Sequence, residues 1–477
     1  MEDRLLDGAG RALAEGFGEV NVADVTHDSR RAGPGSVFAC VRGTRADGHD
    51  HAPAAVERGA VALLVDRPLD LGPASARIVQ VVVDDVRAAM GHLASSVWGQ
   101  PSRQLKVVGV TGTAAKTTTT HMIAAILEAG GIRTAVSGTL SGALTTPEAT
   151  DLHRWLARLV SDHQAVAMEV SSHALSLHRV DGVKFELGVF TNLGVDHLDF
   201  HRDMDDYFAT KRRLFEREHC AAGLICAEDK RGRDLLADDD PNLCPRGPYS
   251  LGDVSDVHLG PTGSTFKWRD QIHRVHLPGR FNVLNAVAAC RVAERLGLGT
   301  QATVAGLDAL TSVRGRFERI DVVGSDVEVV VDYSHKPDAL AAALRAAREI
   351  AAGELVVVFG AGGDRDRTKR PQMGTIAAEL ADRVVVTSDN PRTEDPATII
   401  EEIISGCPDA ENVIVEVDRR DAIDVAVGGA APGAFVVIAG KGHETTQTIG
   451  TERIEFDDAA VARAALERRL PGRGGTL

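Results

Sequence analysis

Apolar runs typical of buried strands alternate with helical patterns along this chain, and the alternation restricts its fold more than any other feature. From residue 327 onward the runs VEVVVD, ELVVVFG, RVVVTSD, NVIVEVD and AFVVIAG are separated by helical stretches, one of which opens at Pro337. Strands joined through helices run parallel, and helices cover both faces of such a sheet. We therefore predict the α/β class with mostly parallel sheets.

Polar residues follow these strands at their carboxyl ends. Ligands of parallel sheets bind outside that edge, so the predicted sheet brings candidate binding residues into one region. These residues are Asp332, 364–366, 389–392 and 441–444.

Length and composition exclude several classes of protein function. The 477 residues suffice for about three domains. Asp and Glu (68) outnumber Lys and Arg (53), and the net charge of −15 argues against a binder of duplex DNA or anionic membranes. The chain shows neither a signal peptide nor the ~18 apolar residues of a membrane helix, so we expect a cytoplasmic enzyme. Six cysteines without a C-x-x-C pair predict reduced, mostly buried thiols.

The segment TGTAAKT, residues 111–117, lies between a predicted strand, KVVGV, and a predicted helix. A phosphate loop needs inward-facing backbone N–H groups, a lysine for the β- and γ-phosphates, a hydroxyl for Mg²⁺ and a helix N-terminus, and most of these parts are present. Ala115 stands where phosphate loops usually have glycine, and a positive φ there would cost ~1–2 kcal/mol. An ordinary strand-to-helix turn is the alternative.

Two further segments hold candidate metal ligands. Glu169 of MEVSSH follows a strand and could complete a Mg²⁺ site, since Mg²⁺ shares oxygen ligands with nucleotide phosphates; a solvated or salt-bridged carboxylate is the alternative. DHLDFH, residues 196–201, has histidines at i and i+4, but Leu198 occupies the position where a metalloprotease needs its general-base glutamate. Lys211, by residue type alone, would be a solvated helix residue.

A third group of motifs combines GDR (363–365), DNPR (389–392) and GKGHE (440–444). Guanidinium groups bind carboxylates in bidentate fashion, and a glutamate accepts hydrogen bonds from an ammonium group, so these motifs predict an amino-acid ligand. Surface charges that pair with one another are the alternative. GAGGD at 360–364 is only weakly similar to a dinucleotide-binding turn, because the full G-x-G-x-x-G is absent.

Taken together, these motifs resemble the Mur ligase family over nearly the whole chain. The matching segments are HDSR (27–30), TGTAAKTTT (111–119), TTPE (145–148), MEVSSHAL (168–175), TN-x₃-DHLDFH (191–201), Tyr207-x₃-Lys211, G-x-FN-x₂-N (279–285), RGRFERI (314–320), DYSHKPDAL (332–340), FGAGGDRDRTKRPQMG (359–374), DNPR and GKGHE. The resemblance implies three domains: a UDP-sugar-binding domain over 1–99, a central phosphate-loop ATPase over 100–313 and a Rossmann-like domain over 314–477 that binds the incoming amino acid.

The resemblance also implies roles for individual residues. ATP would be bound by Gly112, Thr113, Lys116, Thr117, Thr118, Asn282, Arg316, Asp332 and His335, with Asn282 and His335 beside the adenine, Asp332 beside the ribose and Arg316 beside the phosphates. The implied Mg²⁺ ligands are Thr117, Glu169, His197 and Lys211, the last being the lysine that family members carbamylate. The implied catalytic residues are Lys116, Glu169, His197 and Lys211.

Two further sets of residues match substrate contacts. The nucleotide peptide would be bound by Ser29, Thr145, Thr146, Ser171 and Arg179. Diaminopimelate would be bound by Arg365, Asp389, Asn390, Arg392, Gly440 and Glu444. Arg392 would hold the distal carboxylate that lysine lacks, so it carries the prediction of specificity.

The implied activity joins meso-diaminopimelate to UDP-N-acetylmuramoyl-L-alanyl-D-glutamate in peptidoglycan precursor synthesis, with ATP and Mg²⁺. ATP would phosphorylate a free carboxylate of the glutamyl residue, and the amine would attack the acyl phosphate to give amide, ADP and phosphate. Domain closure would exclude water from the intermediate. We expect a monomer without nucleic-acid or membrane partners.

The chain departs from the family pattern at Ala115, Leu177 and Ser334 and in the short stretch between Gly138 and Thr145. Three alternatives therefore stay open. One is a Mur-ligase-like paralogue that joins a different acid and amine in specialised metabolism. The others are a non-catalytic nucleotide-binding protein and an NAD-dependent oxidoreductase.

Overall fold

The computed structural model describes residues 11–14, 18–43, 46–72, 78–142, 144–407 and 410–470. The chain divides into two compact units, Met1–Tyr249 with Arg291–Leu296 and Ser250–Cys290 with Gly297–Leu477. Three largely parallel sheets follow one another along the sequence, two in the first unit and one in the second.

The amino-terminal sheet has four parallel strands in the order β3-β4-β5-β6, and β1 pairs antiparallel with β2. The elements are β1 (Arg11–Ala14), β2 (Gly18–Asn21), β3 (Asp24–Thr26), β4 (Ser36–Ala39), α1 (Ala52–Glu57), β5 (Ala62–Val65), β6 (Val79–Val82) and α2 (Val86–Val97). Asp85 caps α2 by accepting from the N–H groups of Arg87 and Ala88, which satisfies two donors of its first turn.

The central sheet has six parallel strands in the order β12-β11-β10-β7-β9-β8. Its elements are β7 (Lys106–Thr111), α3 (Lys116–Ala129), β8 (Thr134–Ser137), α4 (Ala149–Leu159), β9 (Ala165–Glu169), α5 (Ser172–Ser176), β10 (Phe185–Phe190), α6 (Met204–Arg212), β11 (Cys220–Cys226), α7 (Lys230–Ala237) and β12 (Arg246–Tyr249). The inner strands are almost wholly buried, as expected for a sheet covered on both faces.

The second unit begins with a three-stranded antiparallel sheet, which the sequence did not predict. The elements are β13 (Ser255–Gly260), β14 (Gly263–Trp268), β15 (Gln271–Val275), α8 (Arg280–Arg295) and α9 (Thr300–Ala309). The alternating burial of β14 is typical of a sheet with one solvated face.

The carboxyl-terminal sheet has the order β16-β17-β21-β18-β19-β20, with only β16 antiparallel to its neighbour. Its elements are β16 (Glu318–Arg319), β17 (Glu328–Asp332), α10 (Pro337–Ile350), β18 (Leu355–Phe359), α11 (Lys369–Leu380), β19 (Arg383–Val386), α12 (Pro396–Ile404), β20 (Val413–Val415), α13 (Arg419–Gly429), β21 (Phe435–Ala439), β22 (Thr446–Ile449), β23 (Glu452–Glu455) and α14 (Asp458–Arg469). The predicted α/β class with three domains and mostly parallel sheets is confirmed, whereas the boundaries at 99/100 and 313/314 stay predictions.

All six cysteines are free thiols, and five are buried, as predicted. Across the part of the chain that the structure describes, every helix is too short or too polar to span a bilayer.

Candidate functional site

The loop between β7 and α3 has the backbone of a phosphate-binding turn. Gly112 has a φ of +152°, and a Cβ there would lie 1.9 Å from the hydroxyl oxygen of Thr191, so a side chain cannot be accommodated. Ala115, the residue before α3, has a φ of +68°, the strained conformation anticipated from the sequence. Thr117 and Thr118 are buried in the first turn of α3, whose N-terminus attracts anions.

Two lysines converge on this loop. Lys116 Nζ donates to Gly112 O at 2.8 Å and to Thr113 O at 2.9 Å, and Lys211 Nζ donates to the same Gly112 O at 2.9 Å. Lys211 is buried, with its Nζ 4.6 Å from the ring centroid of Tyr207, so the alternative of a solvated helix residue is wrong. A phosphate bound in the loop would lie near the Lys116 ammonium group and the N-terminus of α3.

Glu169, at the end of β9, lies against the phosphate loop. Its Oε1 accepts from Thr117 Oγ1 at 3.0 Å and from the N–H of Thr139 at 2.8 Å. The side chain is buried, so the solvated alternative is wrong. Gly138 makes room for it, because a Cβ at this position would lie 2.2 Å from Glu169 Oε1.

This donor set fits Mg²⁺. A hydroxyl and a carboxylate beside a phosphate loop are hard oxygen ligands, and Mg²⁺ is commonly held by one or two carboxylates together with substrate phosphates. Among the described residues no group of three or more His, Cys, Asp or Glu side chains could hold a metal.

His197 follows β10 in a loop that borders the phosphate loop. It has a φ of +55°, its Nε2 lies 3.3 Å from Asp196 Oδ2, and its ring centroid lies 4.7 Å from that of His173. The hydroxyl of Thr113 accepts from the N–H of Gly194 in this loop at 3.0 Å. The position of His197 is compatible with a metal ligand, but that role stays a prediction.

Three residues predicted to contact the nucleotide peptide lie together beside Glu169. Thr146 Oγ1 donates to Glu169 O at 2.9 Å and accepts from the N–H of Ser171 at 3.2 Å. Arg179 Nη1 donates to Thr146 O at 3.3 Å, and its Nη2 pairs with Glu148 at 2.9 Å. The residues predicted to contact the peptide and Glu169, a predicted Mg²⁺ ligand, therefore form one hydrogen-bonded network.

Of the two other residues predicted to contact the peptide, Thr145 lies beside this network and Ser29 lies in the amino-terminal part of the chain. The hydroxyl of Thr145 is 3.2 Å from that of Thr139, which donates to Glu169 Oε2 at 3.2 Å. Ser29 lies half-buried in a turn after β3. The next turn residue, Arg31, pairs with Asp151 of α4 at 2.7 Å, so this turn is attached to the central domain.

In the second unit, Asp332 ends β17 and is half-buried. Its Oδ2 accepts from the N–H of Phe317 at 2.8 Å, and the hydroxyl of Ser334 donates to its Oδ1. Burial raises the pKa of the Asp332 carboxyl. Ser334, one of the departures from the family pattern, thus has a structural partner, and contact of Asp332 with a ribose stays a prediction.

Arg316 and His335 lie against the same aromatic ring. The Arg316 guanidinium is 4.8 Å from the ring centroid of Tyr333, and the His335 ring is 4.5 Å from it. Burial lowers the pKa of His335 to about 4, so the imidazole is neutral at pH 7 and its Nδ1 donates to Tyr333 O at 2.7 Å. Asn282 is buried on α8, where its Nδ2 donates to Pro278 O at 2.8 Å.

A buried cluster joins the DNPR and GKGHE motifs. Lys441 is fully buried, and its Nζ donates to Asn390 Oδ1 at 3.2 Å, Glu444 Oε2 at 3.3 Å and Thr446 O at 2.8 Å. Asn390 Nδ2 donates to Glu444 Oε2 at 2.8 Å. These bonds orient the Glu444 carboxylate, whose side chain is 33% exposed, so that it can accept a ligand's ammonium group.

Arg392 is held between two segments with a φ of +51°. Its N–H donates to Thr448 O at 3.1 Å, and its carbonyl accepts from Gly450 N–H at 2.6 Å. Its Nη1 donates to Gly363 O at 2.6 Å. The guanidinium is therefore placed at the carboxyl edge of the sheet, where a carboxylate ligand could reach it.

The remaining predicted residues of this pocket differ in exposure. Asp389 is buried, and a Cβ on Gly440, which has a φ of +117°, would lie 2.7 Å from Asp389 Oδ2. Arg365 is exposed, with its Nη1 donating to Asp364 O at 3.3 Å. Surface pairing as the explanation for the whole group is wrong, because Asp389, Asn390 and Lys441 are buried.

Sequence reasoning missed two residues that organise these sites. The sequence predicts Lys441 only as one member of a polar cluster. Its position between two glycines at the end of a buried strand is a signal that could have identified it. Thr139 carries two of the hydrogen bonds that hold Glu169, and nothing in its sequence context indicates this.

Comparison with known proteins gives a consistent picture. Three Mur ligase family models match: the Mur ligase family catalytic domain over residues 21–98, the middle domain over 110–293 and the glutamate ligase domain over 315–442. Two cyanobacterial proteins named UDP-N-acetylmuramoyl-L-alanyl-D-glutamate–2,6-diaminopimelate ligase are similar to this chain. The Synechococcus elongatus protein is 44% identical, covering 94% of this chain and 95% of its own, and the Thermosynechococcus vestitus protein is 43% identical over 92% and 91%.

A solved structure of a ligase with the same name is 33% identical and has a TM-score of 0.68, covering 94% of this chain and 95% of its own. The similarity to these relatives extends over nearly the full length of the chain. The chain therefore belongs to the Mur ligase family.

Proposed function

We propose that the protein is an ATP-dependent amide ligase that adds meso-diaminopimelate to UDP-N-acetylmuramoyl-L-alanyl-D-glutamate in peptidoglycan precursor synthesis. The observation that carries the proposal is the 44% identity, over 94% of the chain, with a ligase named for this reaction. The phosphate loop with its two lysines and the amine pocket around Lys441 supply the chemistry that such a reaction needs.

In the first step, ATP phosphorylates a free carboxylate of the glutamyl residue. Lys116 and the first turn of α3 offset the charge on the transferring phosphoryl group, since both lie at the loop that would hold it. When bound, Mg²⁺ supplies further compensation of phosphate charge, and Thr117, Glu169, His197 and Lys211 would hold it. Thr146 and Ser171, bonded to each other beside Glu169, would orient the peptide.

Lys211 is suited to carbamylation. Its side chain is buried beside the phosphate loop, where its Nζ donates to Gly112 O. Reaction of the neutral amine with CO₂ forms an N–C bond, breaks one N–H bond with release of the proton to solvent, and gives an anionic carbamate with two oxygens. The carbamate would add a carboxylate-like ligand to the Mg²⁺ site.

In the second step, the amine of diaminopimelate attacks the acyl phosphate, forming the amide and releasing phosphate. Glu444, oriented by Lys441 and Asn390, would bind an ammonium group of the substrate. Arg392 would pair with the distal carboxylate that lysine lacks.

A cytoplasmic location and a monomeric state are also part of the proposal. Cell fractionation tests the location, and light scattering tests the monomeric state.

The test is product formation. Purified protein with ATP, Mg²⁺, the UDP-muramoyl dipeptide and meso-diaminopimelate should give ADP and the tripeptide, detected by mass spectrometry, and L-lysine should be a poor substitute. Release of ADP with a non-muramoyl acid, and none with the muramoyl dipeptide, would instead establish the specialised-metabolism paralogue. Absence of any amine-dependent ADP would contradict the ligase proposal.

A further inference from the structure

Arg370, on α11, is an arginine whose side chain is completely buried and which has no role in the proposed chemistry. Its Nη1 donates to Glu394 Oε2 at 2.9 Å and to Glu402 Oε2 at 2.8 Å. Its Nη2 donates to Glu394 Oε1 at 2.9 Å and to Gly362 O at 3.2 Å. The guanidinium therefore connects helix α12, the segment DNPRTE (389–394) and the loop after β18.

The partners of Arg370 extend this connection between the two loops. Glu394 Oε1 also accepts from the N–H of Asp364 at 2.5 Å. The Asp364 carboxylate in turn accepts from the hydroxyl of Thr393 at 2.7 Å and from its N–H at 3.2 Å. Residues 362–364 and 393–394 are thus bonded to each other through one buried cation and two carboxylates.

These same loops hold Arg392. Gly363 N–H donates to Asn390 O at 2.9 Å, and a Cβ on Gly363 would lie 1.9 Å from Pro391 O, so the backbones are in close contact. Arg392 Nη1 donates to Gly363 O at 2.6 Å. A shift of the loop at Gly363 would therefore move the acceptor that orients the Arg392 guanidinium.

We propose that Arg370 is a positioning residue that, by clamping the loop after β18 to the DNPRTE segment, sets the orientation of Arg392 and with it the preference for an amine substrate with a distal carboxylate. This inference rests on the proposed function. Arg370 does not touch the substrate; it acts through Gly362, Glu394 and Gly363.

The geometry requires an arginine. A guanidinium presents donors in a planar fork, which matches the two oxygens of Glu394 while Nη1 also reaches Glu402. A lysine at this position keeps the charge but is a single point donor, so it cannot bind both glutamates and the Gly362 carbonyl in the same way. Arg370→Lys therefore tests the fork with the charge retained, and Glu394→Gln removes one fork contact with the shape retained.

The experiment measures steady-state kinetics with meso-diaminopimelate and with L-lysine. For Arg370→Lys we expect the KM for diaminopimelate to rise about tenfold or more, with kcat and the KM for ATP changed less than about threefold. The ratio of kcat/KM for diaminopimelate to that for L-lysine should fall, because L-lysine makes no use of Arg392. Glu394→Gln should also raise the KM for diaminopimelate and lower the ratio of the two kcat/KM values. It allows the proposal to be tested even if Arg370→Lys does not fold.

Arg383→Lys is the matched control. Arg383 makes a similar fork on Glu354 in the same domain, at 2.6 and 2.7 Å, but at the start of β19 and away from the carboxyl edge. The Arg383→Lys substitution should therefore leave the KM for diaminopimelate unchanged. The inference is overturned if folded Arg370→Lys and Glu394→Gln keep the wild-type KM, or if they and Arg383→Lys lower activity alike with no change in amine preference. A wild-type protein that makes no tripeptide would contradict the proposed function itself, and this inference with it.

Discussion

Lys441 and Asn390 are 51 positions apart in the sequence, and the Lys441 ammonium donates to Asn390 Oδ1 at 3.2 Å inside the carboxyl-terminal domain. Lysine is only a donor, and Thr448 N–H donates to the same oxygen at 2.9 Å. The Asn390 amide must therefore present its NH₂ group to Glu444. One buried cation thus determines how both polar side chains of the amine pocket are oriented.

Replacing Lys441 by methionine should impair both stability and amine binding. Three acceptors would lose a buried donor, which costs about 1–3 kcal/mol, and Glu444 would no longer be held on one side. We expect the KM for diaminopimelate to rise about tenfold while the KM for ATP stays unchanged. Lys267→Met, at a position whose side chain is 40% exposed and pairs with Asp270, is the control and should change stability by less than about 0.5 kcal/mol.

Ala115→Gly should strengthen nucleotide use. Ala115 has a φ of +68°, which costs alanine ~1–2 kcal/mol and costs glycine almost nothing. We expect a free energy of unfolding about 0.5–1 kcal/mol higher and a lower KM for ATP. The neighbouring Ala114→Gly is the control: its φ is not positive, so glycine should lower stability. Equal effects of both substitutions would show that backbone strain is not the cause.

Gly138→Ala should disable the proposed Mg²⁺ site while leaving the fold intact. The added methyl group would lie 2.2 Å from Glu169 Oε1, so the carboxylate must move away from Thr117. We expect kcat to fall by at least about tenfold, a loss of ~1.4 kcal/mol of transition-state stabilisation, with a higher Mg²⁺ requirement. Gly142→Ala has its nearest neighbour at 3.7 Å and should retain activity; comparable losses in the two variants would contradict the explanation.

The fully buried pair of Arg419 and Asp458, joined at 2.7 and 2.8 Å, should be needed as a pair. Arg419→Met leaves the carboxylate buried and uncompensated, and we expect it to cost about 3–5 kcal/mol. The double variant Arg419→Met with Asp458→Leu should recover most of this loss. Urea unfolding of the three proteins tests the prediction, and a double variant as unstable as the single one would be evidence against it.

Stability should fall on mild acidification because two histidines are buried without charge. Burial lowers the pKa of His153 and of His335 to about 4, so the unfolded chain takes up protons below pH 6.5 that the folded chain does not bind until about pH 4. Stability is therefore present above pH 6.5 and is lost toward pH 4, by at most ~1.4 kcal/mol per pH unit for each histidine.

His153→Gln isolates one of these contributions. The His153 Nε2 donates to Asp181 O at 2.9 Å, and a glutamine amide can donate there without titrating. Unfolding free energies at pH 7 and pH 5 should differ less in the variant than in the wild-type protein. An unchanged difference would show that His153 does not contribute.

The sequence predicted the order of strands and helices well where local pattern decides it. The helix that opens at Pro337 and the buried strand before the phosphate loop follow from proline geometry and from apolar runs. The antiparallel sheet of β13, β14 and β15 was missed because its half-solvated strands lack such runs. The β22–β23 hairpin, which holds Arg392 through Thr448 and Gly450, was missed for the same reason.

The candidate sites were predicted by motif, and their internal connections were not. The position of Glu169 could be placed at a strand end, but its contact with Thr139 depends on how the chain turns at Gly138. Arg370 lies in the KRP run as an ordinary charged helix residue, and only the packing of α11 against α12 buries it between two glutamates. Contacts between residues this far apart in the sequence depend on tertiary structure, so the burial of Arg370 could not be predicted from its local sequence.

The most direct measurement of the central claim follows oxygen during the reaction. The UDP-muramoyl dipeptide, labelled with ¹⁸O in its glutamyl carboxylates, is incubated with ATP, Mg²⁺ and meso-diaminopimelate, and the released phosphate is analysed by mass spectrometry. Because phosphorylation of the carboxylate places its oxygen in the leaving phosphate, we predict one ¹⁸O in each phosphate and one tripeptide per ADP. Phosphate without label, or ADP released without tripeptide, would contradict the account.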